Sequence, residues 1–512
     1  MSLVRALASI TAFTALSRVA GFVRDVLTAA ILGAGPVADA FFVALKLPNF
    51  FRRISAEGAF AVAFVPLYTE KLERGDAGAF ASQALSLMLL VIGAFCAVAM
   101  VAMPLVLLLV APGFEADGQR YALALDYTRI TFPYLLFMSL SALIGGALNA
   151  HGRFAPFAFA PVLFNLCLIA ALGAAHAQMI ADPGLALSLG VAVAGVVQLA
   201  FLVTCTRGLG LRLRLPRPRL TADMRRLMVL MGPGVLGAGA MQVNLFADMV
   251  IGSFLPAGAI SHIYYADRLE QLPLGTVGIA LGTALLPMLS RAVAGEEETA
   301  ARSLFSRALT LCFALGMPAA VGLFLLAEPI IRTLFGYGAF TETDVAATSE
   351  VLRAYAIGMP AYIAVKVYSS VCWARQDTMT PVKTALVCTT LNIVLALVLI
   401  FGFGWGAEGI ALATSVAGWM QLALLIWALR ADPVVRVDCA CLGKIALGVA
   451  LMAGVVWAAE PFFVPGDAAL ARVLALAPLI ALGVATYGAV LLAAGFRRSY
   501  AGGRKRIHTF FG

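Results

Sequence analysis

Apolar stretches of about 20 residues, the length needed to cross the hydrocarbon core of a bilayer, recur from one end of this chain to the other. They fall near 7–33, 37–70, 83–111, 122–149, 156–177, 185–206, 224–254 and 257–290, then 302–326, 345–373, 381–401, 405–430, 440–460 and 468–495. No window between them reads as a soluble domain, and the longest polar linker is Arg207–Arg226. Inside hydrocarbon every backbone N–H and C=O must be satisfied within the protein, so runs of this length fold as helices. The chain is 62% hydrophobic and 12% charged, against about 25% charged in an ordinary soluble domain. The fold class that follows is an all-α integral membrane protein of about 14 transmembrane helices. The first stretch has no small-residue cleavage site after a short apolar core, so it reads as a retained helix rather than a signal peptide.

Against that background, Arg18, Arg24, Lys46, Arg52 and Arg53 are out of place, because they lie inside the first two apolar stretches. A cation at the bilayer centre costs about 2.5–3.5 kcal/mol on insertion scales. It is tolerated where it faces a wet cavity, a protein partner or an anionic ligand. Asp25, Asp39 and Glu57 lie among the five but do not neutralise them. A net-positive chamber within a helix bundle is expected, with an anion as its guest.

The loops carry an orientation. With the N-terminus inside, 24 of the 36 Lys and Arg residues fall in the tails and in the loops on that same side, and Arg120, Arg332 and Arg472 fall on the other. The positive-inside rule then places both termini in the cytoplasm. Most of the net charge of +9 is therefore topological rather than a nucleic-acid patch. An internal repeat accompanies it: Ile31-Leu32-Gly33-Ala34-Gly35, Phe41-Phe42 and Leu47-Pro48 are echoed by Phe254-Leu255-Pro256-Ala257-Gly258, Tyr264-Tyr265 and Leu272-Pro273. A spacing of about 220 residues implies two six-helix halves of like topology around a central cavity, the arrangement that alternating access uses. The expected organisation is an N-terminal lobe at 1–207, a basic cytoplasmic linker at 208–223 and a C-terminal lobe at 224–430. Two extra helices and a basic tail then occupy 431–512.

The second half brings Arg268, with Asp267, to mid-span in the eighth stretch, and Asp248 to the seventh. Arg24, Arg52 and Arg268 can then converge, and forked guanidinium donors suit phosphate oxygens. The same arginines could instead pair with Asp25, Asp39, Glu57 and Asp267 to lock helices together. Catalysis finds little support: the four histidines are scattered, and no GxSxG, HExxH or Walker motif occurs. The eight cysteines show no CxxC or Cys/His cluster, so neither a disulfide framework nor a metal site is expected.

Specific segments carry a family resemblance. Ser17-Arg-Val-Ala-Gly-Phe-Val-Arg24-Asp25, Ala38-Asp39-Ala-Phe-Phe and Lys46-Leu-Pro-Asn49-Phe-Phe-Arg52-Arg53-Ile-Ser-Ala-Glu57-Gly resemble the MurJ (MviN) family of the multidrug/oligosaccharidyl-lipid/polysaccharide exporter superfamily. Tyr265-Ala-Asp-Arg268-Leu and Ala374-Arg-Gln-Asp377-Thr-Met-Thr-Pro381 resemble the same family. The likeness covers essentially the whole chain.

The resemblance implies a flippase of lipid II, the undecaprenyl-diphosphate-linked peptidoglycan precursor, in the bacterial cytoplasmic membrane, with no cofactor and no bond chemistry. By matching position, Arg24, Arg52 and Arg268 would hold the diphosphate, Arg18 would help, and Asp25 would orient Arg24. Ser17, Asp39, Asn49 and Ser261 match polar or gating positions of the cavity, and Arg53 and Glu57 are expected in supporting or gating roles. The two helices after about residue 440 would form a groove for the lipid tail. Lipid II, membrane lipids and cell-wall synthesis proteins are the implied partners, to a monomer. Some relatives resemble sodium-coupled transporters, and Asp248, Asn392 and Thr414 match that pattern. Ala396 stands where a second carboxylate is expected, which weakens a site for a hard cation. Protons or the membrane potential, worth about 2.3 kcal/mol per charge per 100 mV, are the other candidate drivers. Another polyprenyl-linked glycan or a drug is the alternative cargo, although a net-positive chamber disfavours a cationic drug.

Overall fold

The computed structural model describes residues 3–53, 60–116, 118–209, 214–462, 466 and 468–496. Among these, the regular elements are helices and no strand occurs. The first ten are α1 (Leu3–Leu32), α2 (Pro36–Arg52), α3 (Ala61–Glu73), α4 (Ala77–Val101), α5 (Met103–Val110), α6 (Gly118–Thr131), α7 (Tyr134–Ala150), α8 (Ala155–His176), α9 (Pro183–Thr206) and α10 (Ala222–Ser253). There follow α11 (Ala259–Ala294), α12 (Glu298–Leu325), α13 (Ala327–Phe335), α14 (Glu342–Ala374), α15 (Met379–Leu397), α16 (Ala407–Ala428), α17 (Cys439–Ala459) and α18 (Ala469–Ala493).

Nine helical stretches among the described residues are long and apolar enough to cross a membrane. Helices α1, α10, α11 and α14 are long as well, at 30, 32, 36 and 33 residues. Single stretches read from the sequence also divide. The 122–149 stretch breaks at Phe132–Pro133 into α6 and α7, and 83–111 breaks at Ala102 into α4 and α5, with Pro104 in the first turn of α5. Proline lacks the N–H that a helix interior needs and fits the first turn, where that donor is orphaned anyway.

The chain divides into two compact units, one formed by the residues up to Ser261 together with Tyr337–Phe340, the other by His262–Gly336 and the residues from Thr341 onward. In the first, stacked rings of Phe60, Phe64, Tyr68 and Phe80 pack against Leu143, Ile144, Leu148 and Leu202. Helix α10 packs on α3, α4 and α5 in this unit. The turn from α1 to α2 is closed by backbone geometry: Gly33 has φ +65°, and Ala339 N donates to Ala30 O at 2.8 Å. Gly338, at φ +61°, lies so close that an added Cβ would sit 2.2 Å from Ala30 O. Gly338→Ala combines left-handed strain with a backbone clash and is expected to cost about 1–3 kcal/mol. A lowered apparent melting midpoint of the purified protein checks this; an unchanged midpoint refutes it.

The second unit is organised around α14. Its N-terminus is closed by a capping box, in which Asp344 N donates to Thr341 Oγ1 at 3.3 Å and Thr341 N donates to Asp344 Oδ2 at 2.8 Å. Helices α14 and α16 approach closely because small residues meet there, the packing mode of helices in lipid. A Cβ on Gly418 would lie 2.3 Å from the Tyr362 ring, and Ser415 Oγ donates to Ala354 O at 2.6 Å. Phe305, Tyr368, Val371, Leu422 and Leu425 fill the core beside this seam. Helices α17 and α18 pack on α12 through Ile445, Val449 and Tyr487, whose hydroxyl donates to Ala314 O at 2.7 Å.

Candidate functional site: a buried arginine in the first helix

Arg24 lies in the C-terminal half of α1 with 8% of its surface exposed. Its guanidinium is held from two sides. Asp25 Oδ1 accepts from Nη2 at 2.6 Å and from Nε at 3.2 Å, and Asn165 Oδ1, on α8, accepts from Nη1 at 2.9 Å. Asn165 Nδ2 in turn donates to Ser17 O at 3.0 Å, about two helical turns before Arg24 in α1. Arg24, Asp25, Asn165 and Ser17 thus form one hydrogen-bonded chain between α1 and α8. The Phe164 ring sits 5.9 Å from the guanidinium carbon. A charge this deep is retained only when paired and hydrogen-bonded, and here the acid next in sequence supplies the pairing. Ser17 and Arg18 line a recess of about 360 Å³ between α1, α7 and α8, shared with Thr14, Asn149 and Phe157. Arg18 is exposed.

The other cations of the first two stretches are placed differently. Arg52, half-buried at the end of α2, donates from Nε to Asn49 Oδ1 at 3.0 Å, and Asn49 Nδ2 donates back to Leu45 O at 2.8 Å. Lys46 is half-buried, Arg53 is exposed as the C-cap of α2, and Glu57 lies outside the described residues. Arg268 belongs to the second unit, where its Nη2 donates to the Tyr264 hydroxyl at 3.1 Å and its guanidinium lies over that ring at 4.7 Å.

Asp39 sits in a closed cluster between α2 and the start of α11. Its carboxylate is 0% exposed. It accepts from Gly258 N at 2.7 Å, from Ser261 N at 2.9 Å and from Ser261 Oγ at 2.6 Å. The orphan N–H groups of the α11 start thus find their acceptor on α2. Arg120 Nη1 stands 3.8 Å from Asp39 Oδ2, donates to Leu255 O at 3.0 Å and lies over the Phe114 ring at 4.7 Å. The charge census of the sequence put Arg120 in an outer loop. It is in fact 6% exposed, because Asp39 and a carbonyl draw it inward from the first turn of α6.

The candidate cation ligands lie in separate units. Asp248 accepts from Asn244 Nδ2 at 3.3 Å in the first; in the second, Thr414 Oγ1 donates to Asn392 Oδ1 at 3.4 Å and to Ile410 O at 2.9 Å. Among the described residues no group of three His, Cys, Asp or Glu side chains could hold a metal ion. Sequence reasoning missed Asn165 and the inward role of Arg120. The first had a visible signal, a lone amide in the otherwise apolar α8. The second had none, since a basic residue near a helix start reads as a loop charge.

The family described as MurJ, lipid II flippase MurJ, matches residues 28–470. The chain belongs to this family. Among its relatives, the probable lipid II flippase MurJ of Rhizobium meliloti is 38% identical, covering 97% of this chain and 94% of its own. The lipid II flippase MurJ of Burkholderia cenocepacia is 36% identical, covering 98% of this chain and 99% of its own. A solved lipid II flippase MurJ structure in an inward closed conformation superposes with a TM-score of 0.80 at 27% identity, over 96% of this chain and 99% of that one. An inward-facing multidrug transporter of the MATE family shares the fold at a TM-score of 0.66 and 14% identity, over 82% of this chain and 95% of that one. The chain is a multi-pass membrane protein of a transporter family.

Proposed function

We propose that the protein flips lipid II from the cytoplasmic to the periplasmic leaflet of the bacterial inner membrane, by alternating access and without bond chemistry. The observation that carries this reading is the match of relatives named lipid II flippase over almost the whole chain. The chemistry of the arginines supports it. Moving a diphosphate across hydrocarbon is opposed by desolvation, and guanidinium groups within the helices replace the lost water with charge-assisted hydrogen bonds. In this reading Arg24, Arg52 and Arg268 hold the diphosphate and Arg18 assists. Asp25 and Asn165 keep Arg24 from binding it too tightly to release. The chain crosses the membrane 14 times with both termini cytoplasmic, as two six-helix lobes at 1–207 and 224–430 followed by a helix pair for the lipid tail. The protein works as a monomer without a cofactor, driven by Na⁺, protons or the membrane potential, beside the enzymes that use its product.

The test is depletion in the host with the leaflet distribution of lipid II measured. Precursor is expected to accumulate on the cytoplasmic face while cell-wall synthesis stops. Precursor reaching the outer leaflet at the normal rate, in a host with no second flippase, overturns the proposal. A build-up of a different polyprenyl-linked glycan would reassign the cargo.

A further inference from the structure

We propose that one face of α4, together with the basic arm after α9, is a binding site for an anionic glycerophospholipid. The site is distinct from the arginines of α1, α2 and α11. Residues 207–220 carry five arginines and no acidic residue. The described part of this arm, from Arg214, runs without helix or strand across the N-terminal half of α4. It is tied down there by three hydrogen bonds: Arg214 N donates to Ser82 Oγ at 3.1 Å, and Gln83 Nε2 reaches Arg219 O at 2.9 Å and Arg217 O at 3.5 Å. Between arm and helix lies a groove of about 670 Å³, within the size range of small-ligand sites. Ser86, Leu89, Leu90, Gly93 and Ala97 form its floor, and Arg217 stands at its rim.

These floor residues recur at helical spacing and so share one face of α4. A trough in an apolar helix invites a hydrocarbon chain, but two further observations specify the lipid. Arg217 is exposed at the rim, where a phosphate can take its forked donors. Ser86 is only 4% exposed, lines the groove, and its Oγ has no hydrogen-bond partner among the described residues. A serine inside a helix normally returns its proton to the carbonyl four residues back, as Ser82 does to Gly78 O at 2.7 Å. A buried hydroxyl that makes no such bond lacks an acceptor. The carboxylic ester carbonyl of a glycerophospholipid supplies one a short distance below the headgroup, whereas a polyprenyl phosphate has no ester carbonyl. Phosphate on Arg217, ester on Ser86 and acyl chain along Leu90, Gly93 and Ala97 follow the direction in which α4 enters the membrane. The inference needs α4 to lie in the bilayer and is independent of which lipid the protein transports.

The experiment measures lipid retention by native mass spectrometry of the full chain, released from micelles holding equal phosphatidylglycerol and phosphatidylcholine. Wild type is expected to keep one phosphatidylglycerol. Arg217→Ala removes a charge-assisted contact and is expected to weaken retention about tenfold. Gly93→Leu is the second variant: a Cβ there meets open space in the protein, so the side chain fills the groove without disturbing the fold, and retention should be lost. Added polyprenyl phosphate should not displace the bound lipid. Equal retention of the two phospholipids by wild type overturns the proposal. So does unchanged retention by Gly93→Leu, or displacement by polyprenyl phosphate.

Discussion

Arg24→Ala should reduce the rate at which fluorescent lipid II is flipped in reconstituted vesicles by roughly 30-fold to several thousand-fold. That range corresponds to the 2–5 kcal/mol that follows truncation of one partner in a buried, hydrogen-bonded charge pair. Two things are lost together. The diphosphate loses a forked donor, and Asp25, 4% exposed and 2.6 Å from the guanidinium, is left as a buried anion facing the same place. Arg24→Lys restores the charge but not the fork, so partial recovery is expected. Asn165→Ala keeps the whole arginine and removes one orienting acceptor, a loss of about 1 kcal/mol, or about fivefold. The order Arg24→Ala, then Arg24→Lys, then Asn165→Ala is the signature of phosphate contact. If lysine restores the full rate, the fork is irrelevant. If Arg24→Ala flips normally while remaining folded, the diphosphate is held elsewhere.

The largest effect on stability should come from Asp39→Asn. The wild-type carboxylate accepts three hydrogen bonds from the start of α11 and faces Arg120 at 3.8 Å. The amide is nearly the same size, but its NH₂ points a donor at other donors and its neutral oxygen no longer balances Arg120. Breaking a buried pair in this way costs about 3–5 kcal/mol, because the remaining charge stays buried without compensation. The purified variant should melt well below wild type. Ser261→Ala, which deletes one donor and leaves the pair intact, should fall by about a third as much. An Asp39→Asn protein that melts like wild type would show that this cluster does not hold α2, α6 and the α10–α11 turn together. Normal transport by the same variant would also remove Asp39 from any gating role.

Much of this protein is legible in its amino-acid sequence. The apolar runs determined an all-helical membrane chain, because hydrocarbon leaves the backbone no other way to satisfy its polar groups. The repeat between Gly35 and Gly258 marked two helix breaks, and α2 and α11 start directly after them. The first seventy residues also carried enough family-specific positions to point to the flippase fold. Cost alone singled out Arg24 together with Arg18, Lys46, Arg52 and Arg53, since a cation in an apolar run demands a partner wherever it sits.

Which partner it takes was not legible. Asn165 is 141 residues away, and only the packing of α8 on α1 brings its amide to the guanidinium. Asp39 and Arg120 illustrate the same limit more sharply. In sequence they are an acid in an apolar run and a loop base; folded, they are a buried ion pair beside a helix start contributed by residues more than two hundred positions downstream of Asp39. Sequence pattern reports the energetic demand of each side chain, because burial costs depend on chemistry and local periodicity. Tertiary structure decides how the demand is met, because satisfying a buried charge is a matter of a few ångströms between elements that no local spacing encodes.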